Sequence, residues 1–269
     1  MNLLLSEGPT RLLADSASAL HTADGVPTGL GIFASETLGT FVLILLGVGV
    51  CAATSLNKSH AKGAGWVAIA FGWGLAVFAA VYVSGPSGAH LNPAVTIGLW
   101  ASGADLVKGV PATLGTMLIY FAGQFLGAFL GAVGAWLAYK KQFDEPADDG
   151  IKLGVFSTGP GVPSYGWNVV SEIFGTFVLI AFVVASGQTP SGLGPLAVAL
   201  IVVSIGFSLG GSTGYAINPA RDFGPRVAHA LLPIPGKGSS NWAYAWVPIV
   251  GPIAGAILAA VIVPAVLGF

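Results

Sequence analysis

Two asparagines are set to act as hydrogen-bond donors inside an apolar chain. Each opens the tripeptide Asn-Pro-Ala, at Asn92-Pro93-Ala94 and Asn218-Pro219-Ala220. Asn is favoured just before a helix and Pro at its first position, so each tripeptide reads as a helix start. A capping Asn uses its side-chain oxygen to accept from the helix's own N–H groups, which leaves its NH2 free to donate elsewhere. The runs that follow, Asn92–Trp100 and Asn218–Leu232, are too short to cross a bilayer, which takes about 20 residues. Two inverted half-helices would bring both amides to the bilayer midplane, each beside a dipole end of roughly +0.5 elementary charge. Such a site donates to a neutral oxygen and repels cations, protons included.

The segments leading into the boxes, Gly88-Ala89-His90-Leu91 and Gly214-Tyr215-Ala216-Ile217, must be irregular backbone at membrane depth. That is tolerated where the segment is buried in protein or lines a wet cavity, so their carbonyls are expected to face the lumen as acceptors. Glu36 and Glu172 lie inside apolar spans, where a carboxylate is costly and marks function by default. Two roles stand open: a clamp accepting N–H groups from the irregular loops, which we favour, or a proton relay. Arg221 follows the second Ala, at the positive end of its half-helix. Its donors suit a polar solute and its charge a cation barrier, although pairing to loop carbonyls is also open. Asp222 suits a helix N-terminus and stands four residues before Arg226, a spacing that supports an ion pair.

The elements around these residues belong to a membrane. The chain is 54% hydrophobic and 8% charged, with 40 glycines. A soluble domain carries roughly 25% charged residues, so this composition cannot cover a water-facing surface. The net charge of −1 provides no polybasic footprint for nucleic acid. Cys51 is the only cysteine and the four histidines are scattered, so no disulfide, metal or cofactor is expected.

The pattern predicts an all-α membrane protein with six transmembrane helices, at about 31–53, 65–83, 112–139, 167–186, 193–211 and 243–267, plus the two half-helices. Three anchors make the halves a repeat. Ser35-Glu36-Thr37-Leu38-Gly39-Thr40 matches Ser171-Glu172-Ile173-Phe174-Gly175-Thr176, the two boxes match, and Gly123-Gln124 matches Gly251-Pro252. Three spans per repeat invert the second copy relative to the first, and short apolar segments in corresponding positions point to a transport site. The division expected is an extramembrane tail over 1–28 and a channel unit over 29–269. That unit comprises repeat one at 31–139, a polar linker at 140–166 and repeat two at 167–267. Counting Lys and Arg favours a cytoplasmic linker: Lys58, Lys62, Lys140, Lys141, Lys152 and Lys237 fall on its side, against Arg11 and Lys108 on the other.

With its two Asn-Pro-Ala boxes, doubled Glu-x-x-Gly-Thr and Gly-Gln/Gly-Pro pair, the chain resembles the major intrinsic protein (aquaporin) family over about residues 31–267. The resemblance implies a pore in every protomer, a homotetramer in the bilayer of a bacterial plasma membrane, and cytoplasmic termini, opposite to the charge count. Asn218 through Arg226 resembles the glycerol-facilitator branch, in which an Asp follows the pore arginine, here Asp222. The resemblance places the narrowest point at Trp73, Gly206, Tyr215 and Arg221, with Phe71 as the substitute for Trp73. Gly206 would leave room for a wider solute where water-selective members carry His. The function implied is passive passage of glycerol, water and possibly urea, with ions excluded. A water-selective channel and, less favoured, an ion-coupled secondary transporter are the alternatives. No nucleophile–base pair or phosphate loop supports an enzyme.

Overall fold

Helix starts and stops follow the local chemistry. A computed structural model describes residues 19–186 and 191–268. Helix α1, Gly29–Ser55, starts at Thr28, whose side chain accepts from the Gly31 N–H at 3.1 Å. Helix α2 spans Gly65–Val83, half-helix α3 Pro93–Ala101, and α4 Leu114–Ala138, the last capped by Thr113. Two short helices follow, α5 at Lys140–Asp144 and α6 at Asp149–Phe156. Repeat two comprises α7 at Tyr165–Ala185, α8 at Pro195–Ser208, half-helix α9 at Pro219–Leu231 and α10 at Val247–Leu267. Among the described residues, β structure is limited to two isolated bridges.

Five helices, α1, α2, α4, α7 and α10, are long and apolar enough to cross a membrane. The expected full span at 193–211 is shorter: α8 has 14 residues. At 1.5 Å per residue it reaches roughly 21 Å, against about 30 Å of hydrocarbon. Glycines delimit it. Gly192 and Gly194 adopt positive φ before Pro195, and Gly210-Gly211 form a turn after Leu209.

The expected tail lies largely outside the described residues. Its last part folds back on α1, where Thr28 Oγ donates to the Ala19 carbonyl at 2.7 Å. The linker also departs from a plain polar spacer. Phe143, Val155 and Phe156 bury into the main core, because apolar residues sit between the charges that dominate its composition.

The packing repeats itself. Helix α1 lies on α4 as α7 lies on α10, and α2 meets α8 across the two halves. Half-helix α3 packs on α10 and α9 on α4, so each repeat seats its half-helix against the other. The close approach of α4 to α1 depends on absent side chains. A Cβ at Gly123 or Gly127 would stand 2.8 or 2.4 Å from the Phe33 or Thr37 carbonyl oxygen. The equivalent Gly255 on α10 would meet the Ile173 oxygen at 2.3 Å. Large apolar side chains such as Leu38, Leu75, Leu118, Phe174 and Val261 point outward, as a lipid-facing surface requires.

Candidate functional site

Each asparagine caps its own half-helix and reaches across to the other. Asn92 Oδ1 accepts from the Ala94 N–H at 2.8 Å, and Asn218 Oδ1 from the Ala220 and Arg221 N–H groups at 2.9 and 3.1 Å. Pro93 and Pro219 occupy the first helical positions. Asn92 Nδ2 then donates to the Ile217 carbonyl at 2.8 Å, and Asn218 Nδ2 to the Leu91 carbonyl at 2.8 Å. The sequence suggests free amides; here one N–H of each is committed to the opposite repeat. The second N–H of each amide is not needed for that bond.

The approach segments carry the same unusual backbone twice. Gly88, Ala89 and Leu91 have φ of 82°, 54° and 56°, and Gly214, Tyr215 and Ile217 have 82°, 39° and 43°. Non-glycine residues in this region store about 1–3 kcal/mol each, so something must over-determine them. The buried glutamates do. Glu36 accepts from the His90 and Leu91 N–H groups at 3.0 and 2.7 Å, from Ser87 Oγ at 2.5 Å and from Gln124 Nε2 at 2.8 Å. Glu172 accepts from the Ala216 and Ile217 N–H groups at 2.9 and 2.8 Å and from Thr213 Oγ at 2.6 Å. Of the eight carbonyls expected to line the lumen, those of Leu91 and Ile217 are engaged by the asparagine amides.

Two cavities share three lining side chains. The first, about 180 Å³, is bordered by Gly88 through Asn92 and by Tyr215 through Asn218, with an apolar wall including Leu43, Val77 and Leu179. The second, about 260 Å³, is bordered by Cys51, Trp66, Thr158–Gly161 and Gly214. Trp73, Tyr215 and Arg221 border both. Trp73 is 4% exposed, with the Arg221 guanidinium carbon 3.9 Å from its ring centroid. Phe71 is 46% exposed and faces outward against Phe207, which removes it as the substitute for Trp73.

Gly206 borders neither cavity. A Cβ there would stand 3.0 Å from Tyr215 Cζ and 3.1 Å from Ala70 Cβ. The space expected to admit a wider solute is taken by the Tyr215 ring, so the missing side chain at Gly206 lets the phenol end of that ring approach α8 closely. Trp66 completes this seat. It donates to the Gly206 carbonyl at 2.8 Å and meets the Tyr215 ring edge-on at 5.8 Å.

The chain as a whole is similar to known proteins. The family model described as Major intrinsic protein matches residues 27–263. The chain belongs to the major intrinsic protein family. It is 54% identical over 226 residues to the glycerol uptake facilitator protein of Bacillus subtilis, covering 83% of this chain and 80% of that one. It is 52% identical over 234 residues to the probable glycerol uptake facilitator protein of Thermotoga maritima, covering 86% and 97%. Among solved structures, the aquaglyceroporin from Plasmodium falciparum superposes with a TM-score of 0.75 at 32% identity, covering 90% of this chain and all of that one.

In this major intrinsic protein, Asp222 does not face the lumen. It is fully buried, and its Oδ2 accepts from the Thr158 N–H at 2.8 Å and Thr158 Oγ at 2.7 Å. Arg226 Nε donates to Oδ1 at 2.8 Å, and its other nitrogens donate to the carbonyls of Thr158, Ser240 and Asn241. The pair therefore ties the linker to the half-helix. The linker in turn reaches the junction of the two cavities, where the Phe156 carbonyl accepts from Arg221 Nη1 at 3.1 Å. Sequence reasoning missed Phe156 and Thr158. Their only signal was the Thr158-Gly159-Pro160-Gly161 turn cluster next to an isolated apolar pair.

Proposed function

We propose that the chain is a passive transmembrane channel for glycerol and other small neutral solutes, urea included, that also passes water and excludes ions and protons. The observation that carries this is the wall chemistry where the two cavities meet. Two aromatic side chains, Trp73 and Tyr215, stand with one guanidinium, Arg221. A polyol has a carbon face and a hydroxyl face, and this ring offers each its partner. Trp73 and Tyr215 take the carbons, while Arg221 and the carbonyls of Gly88, Ala89, His90, Gly214 and Ala216 take the hydroxyls.

Ion exclusion follows from the boxes. Two half-helix N-termini aim their dipoles at Asn92 and Asn218, and Arg221 adds a full charge, so a cation meets a barrier while a neutral oxygen finds donors. The pore's midplane carries amides in place of a titrating pair, which suits passive flow better than ion coupling. Relatives named as glycerol uptake facilitators, at 54% and 52% identity, support the same solute class. Family membership also argues against an enzyme. We read residues 29–269 as one channel unit with repeats at 31–139 and 167–267, working as a homotetramer in the plasma membrane. Glu36 and Glu172 act as clamps, and Asp222 acts by ordering the linker.

Stopped-flow light scattering on proteoliposomes tests the proposal. Glycerol entry well above that of protein-free vesicles, with water flow alongside, is the expected result. Water flow without glycerol entry would leave the water-selective reading in its place.

A further inference from the structure

We infer that helix α1 holds a positioning pair, Gly47 and Cys51, that sets the indole of Trp73 and through it the selectivity of the constriction. The assignment rests on Trp73 being part of that constriction. Gly47 and Cys51 are four residues apart, so they share one face of α1. Trp73 lies on that face. A Cβ at Gly47 would stand 2.2 Å from Trp73 Cζ3 and 2.4 Å from Cε3 and Cη2. The six-membered ring therefore rests directly on the α1 backbone. At the other edge, Trp73 Nε1 donates to Cys51 Sγ at 3.4 Å, within reach of a sulfur acceptor.

The slot has an energetic logic. An indole N–H is a donor with no alternative once buried, and leaving it unpaired costs free energy. Trp73 is 4% exposed and Cys51 6% exposed, and the thiol is the protein group that accepts from this N–H. With one edge set by Gly47 and the other by Cys51, the ring plane is fixed. That plane carries the Arg221 guanidinium at 3.9 Å. Tilting the ring would move both the apolar wall and the cation. Cys51 also borders the second cavity beside Trp73, so the slot opens onto the solute path. Helix α1 thus determines selectivity without contributing one of the three side chains at which the cavities meet.

Three variants and one spectrum test this. Cys51→Val keeps a similar volume without the acceptor, and should lower the glycerol-to-water permeability ratio about fivefold, the equilibrium effect of losing one ordinary hydrogen bond. Cys51→Ser restores an acceptor and should recover most of that ratio. Gly47→Ala forces the indole off the backbone and should lower glycerol permeability about tenfold, the low end of what one methyl group in a fitted pocket decides. Since Cys51 is the only thiol, its S–H stretching band in the infrared is unambiguous. Trp73→Phe removes the donor and should shift that band. An unchanged band, or Val and Ser variants with the same ratio, would overturn the assignment. If the unmodified protein passes water alone, the glycerol reading fails, while the thiol band still decides whether the slot exists.

Discussion

Asn92 and Asn218 lock the two repeats by exchange. Each amide donates at 2.8 Å to the carbonyl of the residue preceding the other asparagine, Ile217 in one case and Leu91 in the other. The same two groups therefore hold the half-helices together and present donors at their junction. The proposed ion barrier depends on this doubling.

Replacing Asn218 by Asp keeps the cap oxygen and removes the donor. The Leu91 carbonyl then faces a carboxylate, and a negative charge enters at the two positive helix ends. We expect a stability loss of about 1–3 kcal/mol from the broken bond, read as a lower melting temperature in detergent. We also expect measurable cation leak in proteoliposomes under a potassium or pH gradient. The unmodified protein should pass neither ion, and appreciable conductance through it would sink the dipole account.

Gly206→His must displace Tyr215, because even a Cβ there comes within 3.0 Å of that ring. With Trp66 edge-on to it and Gly210 close behind, the tyrosine can yield only toward the cavities that it borders. Glycerol permeability should fall much more than water permeability at matched protein density. An unchanged ratio would mean that Gly206 and Tyr215 do not control the opening.

Asp222→Ala should act on folding before it acts on permeation. It leaves Arg226 buried without its counter-charge and the Thr158 N–H without its acceptor. Removing one partner of such a pair costs about 3–5 kcal/mol. The expected result is a sharp loss of folded protein on size-exclusion chromatography. A well-folded variant with normal glycerol flow would show that the linker does not need this anchor.

The linker should lie outside the cytoplasm even though it is on the lysine-rich side. The structure shows how those lysines are used. Lys58 pairs with Glu145 at 2.8 Å, and Lys140 pairs with Asp144. Lys152 donates to the Pro235 carbonyl, and Lys237 to the carbonyls of His229, Ala230 and Leu232 at the end of α9. Committed to partners, these four act as structural cations more than as topology signals. Single cysteines placed at exposed linker positions in a Cys51→Ser background should label with an impermeant thiol reagent in intact cells. Labelling only after the membrane is opened would reverse the orientation.

What the sequence by itself determined is what local chemistry encodes. Asn-Pro starts a helix through its own cap and its own φ preference, so both half-helices were legible from their tripeptides. Glu36 and Glu172 were legible as buried carboxylates in matched spans, and Asp222 and Arg226 as a pair from their spacing of four. Tertiary structure alone decided what meets across distance. Arg221 finds the Phe156 carbonyl 65 positions away, and Asp222 finds Thr158 64 positions away. Tyr215 fills the place beside Gly206, which sequence could mark only as empty. Trp73 is set on Gly47 and Cys51 by the approach of α2 to α1. The 14-residue length of α8 was hidden too, because hydropathy continues through Leu209 while the backbone already turns at Gly210. The reason is common to all of these. Caps and periodicity act within one turn of helix, whereas the shape of a pore wall is set by which surfaces pack against each other.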